Sequence, residues 1–300
     1  MEIQNHQFSI AEFNIRIVFH DTTKNGSWLI PSFEPFRISQ PTSQENNLFE
    51  LVVDDELKPF AKEKKEHIRV FDTGNGDTVV DLLPDEGYQF IIKDINGHSC
   101  CLLQTDKEYK KCSCALNGNL HMRTFGLNNA LMLVFAFAAS RYQTILIHAS
   151  LVRNSGYGYA FIAKSGTGKS TQVSMWLRYI KGCDLMNDDN PIIRILNNIP
   201  YIYGSPWSGK TPCYRNMKAR LGAVTQIERS LNNKVEPLKP IEAFVAVLSS
   251  SSTMKWDKDI FNNICDTITH IIEETKIYKL HCLPNREAAE ICYQGIAKHD

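Results

Sequence analysis

The sequence has 300 residues, of which 33 are basic and 33 acidic, so its formal net charge is zero. This balance offers no basic surface of the kind that attracts nucleic acid or anionic membranes, and neither is expected as a partner. The longest apolar run, residues 130–139, has ten residues and is too short to span a bilayer. Nine cysteines, an odd number, behind an N-terminus without a secretion signal predict a reducing, cytoplasmic location.

Residues 1–122 are predicted to form a β-rich N-terminal domain. Residues 15–19 and 49–53 have the composition of strands. Two glycine-containing turns, Gly74-Asn75-Gly76 and Asn96-Gly97, each separate two further strand-like runs and predict β-hairpins.

A group of thiols and imidazoles near the second hairpin raises the question of a zinc site. The group comprises His98, Cys100, Cys101, Cys112, Cys114 and His121. Structural zinc sites usually space their cysteines as C-x-x-C, and this group does not. A hairpin with small buried thiols is therefore favoured over a metal site.

Residues 123–300 alternate between helical and strand-like segments and predict an α/β domain. Residues 127–141 are expected to form a buried helix and residues 144–152 a strand. A short turn then leads into a strand that ends at Ile162. Because this turn is too short for a parallel crossover, the two strands are predicted to pair antiparallel.

The last third of the chain is predicted to add a few more elements. Residues 243–249 have the composition of a strand, and residues 256–274 that of a helix. A strand at residues 277–282 and a short helix from Glu287 follow.

Two stretches resemble phosphate-binding loops, residues 163–170 (AKSGTGKS) and 204–211 (GSPWSGKT). Only the second matches G-x-x-x-x-G-K-[ST] strictly, since Ala163 replaces the first glycine. The first, however, lies between an apolar strand and an amphipathic helix, which a loop that wraps its N–H groups around phosphate requires. In the second, Pro206 removes a donor and Trp207 crowds the loop. We therefore expect nucleotide at residues 163–170, with a role for the second stretch in the same active site left open.

The predicted loop supplies most of the expected ATP contacts. The nucleotide-binding residues are predicted to be Ser165, Gly166, Thr167, Gly168, Lys169, Ser170 and Thr171. Lys169 is expected to neutralise the β- and γ-phosphates, and the Ser170 hydroxyl to bind Mg²⁺. ATP and Mg²⁺ are thus the expected cofactors.

Other candidates lie outside the loop. A magnesium ion on phosphates still requires one or two carboxylates, and Asp188 and Asp189 follow the loop helix. The alternative is a plain turn, because Asn-Asp-Asp-Asn-Pro is also turn composition. His148 is either a core histidine or a contact of the transferred phosphate. Lys210, in its glycine-flanked loop, is a candidate catalytic cation.

Three segments in order, His148-Ala149-Ser150, residues 163–170 and Asn187-Asp188-Asp189, resemble HPr kinase/phosphorylase and its relatives. The resemblance covers approximately residues 140–230. It implies an α/β (α+β) fold with a P-loop domain like those of HPr kinase and phosphoenolpyruvate carboxykinase, preceded here by the β-rich domain.

The resemblance also implies roles for the residues. Lys169 would hold phosphate, and Ser170 and Asp189 would bind Mg²⁺. Asp188 would be the base toward the substrate hydroxyl, and His148 would contact the transferred phosphate.

Residues 203–211 are similar to a segment in a branch of HPr-kinase-like proteins, some of which are encoded beside peptide-modification genes and phosphorylate peptide serines. This segment replaces the glutamate- and arginine-glycine-bearing signature of true HPr kinases, so HPr is not the expected substrate. The expected function is transfer of the ATP γ-phosphate to a hydroxyl, that of a serine in a peptide or protein. A kinase of an amino acid or polyol, and a non-catalytic nucleotide-binding regulator, remain alternatives, and a homo-oligomer remains open.

Overall fold

The computed structural model describes residues 2–39, 47–73, 76–209 and 211–298. The chain divides into two compact units, Met1–Ala139 and Ser140–Asp300. The division falls after Ala139 rather than between residues 122 and 123, because most of the helix Leu120–Ser140 (α1) is assigned to the first unit. The architecture is mixed α/β, with more strands than helices in the described part of the chain.

The first unit contains an eight-stranded sheet. Its strands are β1 Ile3–Ile10, β2 Phe13–His20, β3 Asn47–Val53, β4 Glu66–Asp72, β5 Asp77–Leu82, β6 Tyr88–Lys93, β7 Ser99–Thr105 and β8 Lys111–Leu116. They lie in the order β1-β2-β3-β8-β7-β6-β5-β4. Strand β3 pairs in parallel with β2 and β8, and the remaining neighbours are antiparallel.

Both predicted hairpins are present in this sheet. Strands β4 and β5 pair antiparallel around the first turn, of which Gly74 and Asn75 lie outside the described residues. Strands β6 and β7 pair antiparallel around Asn96-Gly97. The predicted buried thiols are confirmed on β7 and β8, where Cys100, Cys101, Cys112 and Cys114 are all buried.

Helix α1 is longer than the apolar run within it. By length and composition alone this helix of 21 residues could cross a membrane, the one such helix in the part of the chain that the structure describes. A core helix of a water-soluble protein passes the same test. Leu127, Leu131 and Phe135 are fully buried, and more than half of the apolar window is enclosed by protein. These properties are those of a core helix.

The second unit contains a nine-stranded sheet and four helices within the described residues. Its strands are β9 Thr144–Leu146, β10 Ala149–Asn154, β11 Tyr157–Ile162, β12 Asp184–Asp189, β13 Ile192–Leu196, β14 Ile199–Tyr203, β15 Lys218–Arg229, β16 Lys234–Pro237 and β17 Ile277–Cys282. Its helices are α2 Lys169–Tyr179, α3 Pro240–Ser250, α4 Lys258–Glu274 and α5 Arg286–Ile296.

Strand β15 connects the parts of this sheet. The order is β12-β10-β11-β15-β14-β13-β9, and β17 pairs with the second half of β15 and with β16. The predicted antiparallel pairing of β10 with β11 is confirmed. By contrast, β11 pairs in parallel with β15, a strand that the sequence patterns did not indicate.

Two predictions for this unit are wrong. Residues 144–152 do not form one strand, because β9 pairs with β13 while β10 pairs with β11 and β12. Residues 243–249 lie in helix α3 rather than in a strand. Pro240 at the first helical position and Glu242, whose carboxylate accepts from the Lys239 N–H, begin this helix.

Trp176 fixes the helix that follows the predicted phosphate loop. Its ring is fully buried, with centroids 5.2 Å from Tyr159, 5.4 Å from Phe161 and 5.5 Å from Tyr293. Two of these partners lie on β11 and the third on α5. The packing therefore holds α2 against the strand whose end carries the loop.

Candidate functional site

Three strand ends meet at one edge of the second sheet. Ala149, at the start of β10, pairs with Ile162 at the end of β11 and with Asp189 at the end of β12. Because β10 runs antiparallel to both neighbours, its first residue lies beside their last ones. This register brings His148, the loop at residues 163–170 and the aspartate pair together.

The loop between β11 and α2 has the backbone of an anion-binding turn. Gly166 and Gly168 have φ angles of 76° and 131°, which residues with a Cβ rarely adopt. Helix α2 begins at Lys169, directly after the second glycine. The N–H groups of its first turn and the positive end of its dipole therefore lie at the loop, as phosphate binding requires.

Lys169 and Asp189 are joined through the His148 ring. The Lys169 Nζ donates to His148 Nε2 over 2.8 Å and to the Ala163 carbonyl over 3.1 Å. His148 Nδ1 lies 3.0 Å from Asp189 Oδ1. A lysine ammonium has donors only, so the contacts match the tautomer in which Nε2 accepts and Nδ1–H donates to the carboxylate.

His148 lies in the break between β9 and β10, not inside a strand. Its backbone N–H donates to the Ser250 carbonyl, and the preceding Ile147 N–H donates to the Pro191 carbonyl. The His148 side chain is 45% exposed and the Asp189 side chain 33%. The histidine is therefore not a core residue, and it faces the loop lysine.

Asp188 has a different environment from its neighbour. The residue is only 7% exposed, and its Oδ1 accepts from Ser150 Oγ over 2.6 Å and from Ser170 Oγ over 3.1 Å. Ser150 comes from β10 and Ser170 from the first turn of α2. The Ser170 hydroxyl is therefore hydrogen-bonded to Asp188, whereas the Asp189 carboxylate contacts the His148 ring.

The first three residues of the Asn-Asp-Asp-Asn sequence end strand β12 rather than forming a plain turn, and the Asn187 side chain holds the backbone that follows. Asn187 Oδ1 accepts from the backbone N–H groups of Asp189 and Asn190, each over 3.0 Å. The side chain of Asn187 is fully buried, and its Nδ2 donates to Ser205 Oγ and to the Trp207 carbonyl. The end of β12 is therefore tied to the second glycine-containing stretch.

That second stretch lies beside the aspartates rather than forming a phosphate loop of its own. Ser208 pairs with Asp189 as an isolated β-bridge, and the Gly209 N–H donates to the Asp188 carbonyl over 3.1 Å. No helix begins after this stretch in the described residues; residues 211–217 are irregular and lead into β15. Lys210, the predicted catalytic cation, lies outside the described residues.

The oxygen atoms beside Lys169 suit a hard divalent cation. Ser170 Oγ and the two aspartate carboxylates are the ligand types that Mg²⁺ takes. Among the described residues, no group of three or more histidine, cysteine, aspartate or glutamate side chains could hold a metal ion by itself. The donor set thus fits a magnesium ion that obtains its remaining ligands from nucleotide phosphates and water.

Burial perturbs the lysine of the loop. Partial desolvation lowers the pKa of Lys169, although the charges of Asp189 and Asp188 act in the opposite direction. An anion at the loop would add negative charge and favour the ammonium form.

Arg229, at the end of β15, supports the loop from its outer side. Its Nε donates to the Thr167 carbonyl over 3.0 Å, and its NH2 group donates to the Gly166 carbonyl over 2.5 Å. When loop N–H groups turn toward an anion, carbonyls turn outward, and a cation outside stabilises them. Neither this contact nor the Ser150 and Asn187 contacts could be predicted, because each depends on strand pairing between distant segments.

The comparisons with known proteins do not assign this chain to a family. No protein-family description and no curated protein matches this sequence. Among solved structures, the chain is similar to the Hpr(Ser) kinase/phosphatase from Coxiella burnetii, with 11% identity over 50% of this chain and 86% of that chain and a TM-score of 0.30. At this identity and TM-score, the similarity carries no conclusion about fold, activity or substrate.

Proposed function

We propose that this protein is an ATP-dependent kinase that transfers the γ-phosphate to a hydroxyl group. The observation that carries the proposal is the convergence at residues 163–170. A glycine turn at a helix N-terminus, one lysine, one serine and two carboxylates surround the place where a terminal phosphate would bind. Phosphoryl transfer needs chiefly such positioning and charge neutralisation.

In the proposed reaction, the residues of the site have the following roles. Lys169 and the loop N–H groups would hold the phosphates. Ser170 and one of the two carboxylates would hold Mg²⁺, which would neutralise phosphate charge. The acceptor oxygen forms its bond to the γ-phosphorus while the bond from that phosphorus to the β–γ bridging oxygen breaks and ADP leaves. A carboxylate accepts the hydroxyl proton.

The contacts bear on which aspartate has which role. The family resemblance gave the base to Asp188 and the metal to Asp189. Asp188 is buried and shares a hydrogen bond with Ser170, which favours it as the metal's partner. Asp189 is more exposed and lies on His148, which favours it as the base, with His148 orienting the carboxylate. We propose this second distribution.

For the acceptor we propose a serine of a peptide or protein. A β-rich unit accompanies the nucleotide unit, and its sheet ends in strands β1 and β4, which an extended peptide could extend. On β4, five of the seven residues are exposed, so its outer edge presents backbone and side chains to solvent. Contacts of this kind would bind a peptide substrate through its backbone.

The test is transfer of labelled γ-phosphate from ATP. The full chain is offered serine-containing peptides encoded beside its gene and, separately, a panel of free amino acids and polyols. We expect serine labelling in a peptide that disappears in Lys169→Ala. Labelling of a metabolite and of no peptide would refute the peptide acceptor, and ATP binding without transfer to any acceptor would favour a non-catalytic regulator.

A further inference from the structure

A cavity of about 420 Å³ lies along the phosphate loop on the side away from the aspartates. In the sheet, β10 and β12 flank β11 on one side, while β15 and then β17 flank it on the other. The aspartates end β12, whereas the cavity is lined by residues at or after the ends of β15 and β17, among them Ile227 and Pro284. The loop therefore separates two places with different chemistry.

The cavity walls are apolar over most of their surface, and the side chains of Thr167, Thr171, Gln172, Arg229 and Ser230 supply the polar groups. Ile227 and Cys282 are buried, and Leu283 and Pro284 complete the apolar wall. Desolvation raises the pKa of the Cys282 thiol, so this side chain stays uncharged at neutral pH. Gln172 adds a buried amide, whose Nε2 donates to the Ala288 carbonyl. Small-molecule pockets of roughly 300–1,000 Å³ with apolar walls and few polar groups typically take an aromatic ring system.

A second cavity of about 530 Å³ beside the same loop is less suitable. Its lining includes three charged residues, Lys164, Glu228 and Arg229, whereas the described lining of the first cavity includes one, Arg229, which is bound to loop carbonyls. Charged side chains with exposed ends favour water over an aromatic ring.

The first turn of α2 indicates the direction in which a nucleotide would lie. Ser170 faces Asp188, and the next residue, Thr171, lines the apolar cavity. Consecutive helical residues point about 100° apart around the axis, so the same turn borders both places. A nucleotide with its terminal phosphate beside the aspartates would extend past Thr171 toward this cavity.

We propose that this cavity binds the base and ribose of the nucleoside triphosphate, an inference that rests on the kinase function proposed above. In this arrangement the loop recognises the triphosphate, and the cavity recognises the nucleoside that is attached to it. This division can be measured, because magnesium tripolyphosphate has the phosphates without the nucleoside.

The experiment compares Mg-ATP with magnesium tripolyphosphate in calorimetric titrations of the full chain. Two variants fill the cavity from different segments: Ser230→Trp from the segment after β15 and Leu283→Trp from the segment after β17. Leu177→Trp, on the exposed face of α2 and outside both cavities, is the matched control. We expect both cavity variants to lose ATP affinity by about tenfold or more, equivalent to about 1.4 kcal/mol, and to keep tripolyphosphate affinity.

Each other outcome contradicts a definite statement. Unchanged ATP affinity in both cavity variants would overturn the nucleoside site while leaving the phosphate loop intact. Equal loss of ATP and tripolyphosphate in both variants would also overturn it, because the cavity would then not distinguish the nucleoside. If the unaltered protein bound neither ligand, the kinase function itself would fail.

Discussion

Ser170 donates a hydrogen bond of 3.1 Å to the carboxylate of Asp188, and the two residues come from opposite ends of the segment that contains α2. The contact joins the first turn of that helix to the end of β12. Since Ser150 donates to the same carboxylate oxygen, three elements fix one buried acid. A metal ion at Ser170 would therefore meet a carboxylate already in position.

The first prediction concerns which loop binds nucleotide. Lys169→Ala removes the cation at the glycine turn and is expected to abolish measurable Mg-ATP binding in calorimetric titrations, because the phosphate charge is no longer neutralised. Lys210→Ala, in the loop that matches the strict motif, serves as the comparison and should keep most of the binding. The reverse result would mean that the wrong loop was chosen.

The second prediction separates the aspartates. Asp188→Asn is expected to weaken magnesium-dependent ATP binding, because it removes a charge beside Ser170. Asp189→Asn should bind ATP almost normally and lose turnover, since a base acts only as the hydroxyl loses its proton. Binding titrations and initial rates on both variants measure the difference. Weak binding in Asp189→Asn with normal binding in Asp188→Asn would restore the roles that the family resemblance implied.

The third prediction uses glycine geometry. A Cβ at Gly166, Gly168 or Gly156 would meet no atom within 4 Å, so alanine at these positions tests backbone strain alone. A left-handed φ costs a residue with a Cβ about 1–2 kcal/mol. If the loop of the variant relaxes to avoid this strain, ATP binding has to restore the original loop shape at that cost in free energy. Gly166→Ala should therefore bind ATP about 5- to 30-fold more weakly. Gly168→Ala, with φ at 131°, should lose more.

Gly156→Ala is the matched control for that series. Its φ of 80° lies in the turn between β10 and β11, away from the phosphate loop. The same strain should therefore lower thermal stability and leave ATP affinity unchanged. Equal losses of affinity at all three glycines would show a general defect rather than a loop effect.

The fourth prediction concerns pH. Desolvation lowers the pKa of Lys169 below the ordinary value of 10.5 in the free protein, and bound phosphates would raise it again. At pH values above the lowered pKa, ATP binding must therefore take up a proton, and affinity should fall by up to about tenfold per pH unit. At lower pH the ammonium form is already present and this dependence disappears.

Lys169→Arg checks the assignment, because a guanidinium stays protonated throughout the range. Titrations from neutral to alkaline pH should show a flat profile for this variant. The same fall in both proteins would assign the titration to another group.

The sequence predicts some parts of the site because local chemistry determines them. The glycines at residues 166 and 168 and the helix after Lys169 follow from turn and helix preferences. The antiparallel pairing of β10 with β11 follows from a turn too short for a crossover.

Other parts depend on distant partners and leave no local signal. Residues 144–152 are a continuous strand-like run without glycine or proline, and the break at His148 arises from hydrogen bonds to Pro191 and Ser250. Strand β15 pairs with other strands on both sides, so most of its residues are buried and the alternation of apolar and polar residues typical of a strand is missing. Gly222 also interrupts its apolar run. For α3, the apolar segment is so short that its pattern does not distinguish the periodicity of a helix from that of a strand.

The second glycine-containing stretch has a consequence for how an acceptor approaches. Its backbone borders the outer side of β12, where Ser208 forms an isolated bridge with Asp189 and the Gly209 N–H donates to the Asp188 carbonyl. After this stretch, the side chains of Cys213 and Arg215 both donate to the Leu185 carbonyl. A peptide therefore cannot add itself as a further strand next to Asp188. For the proposed kinase, the acceptor hydroxyl would then approach from beyond the ends of β11 and β12 as a protruding side chain. That direction of approach would favour a serine at the apex of a bend over one within an extended segment.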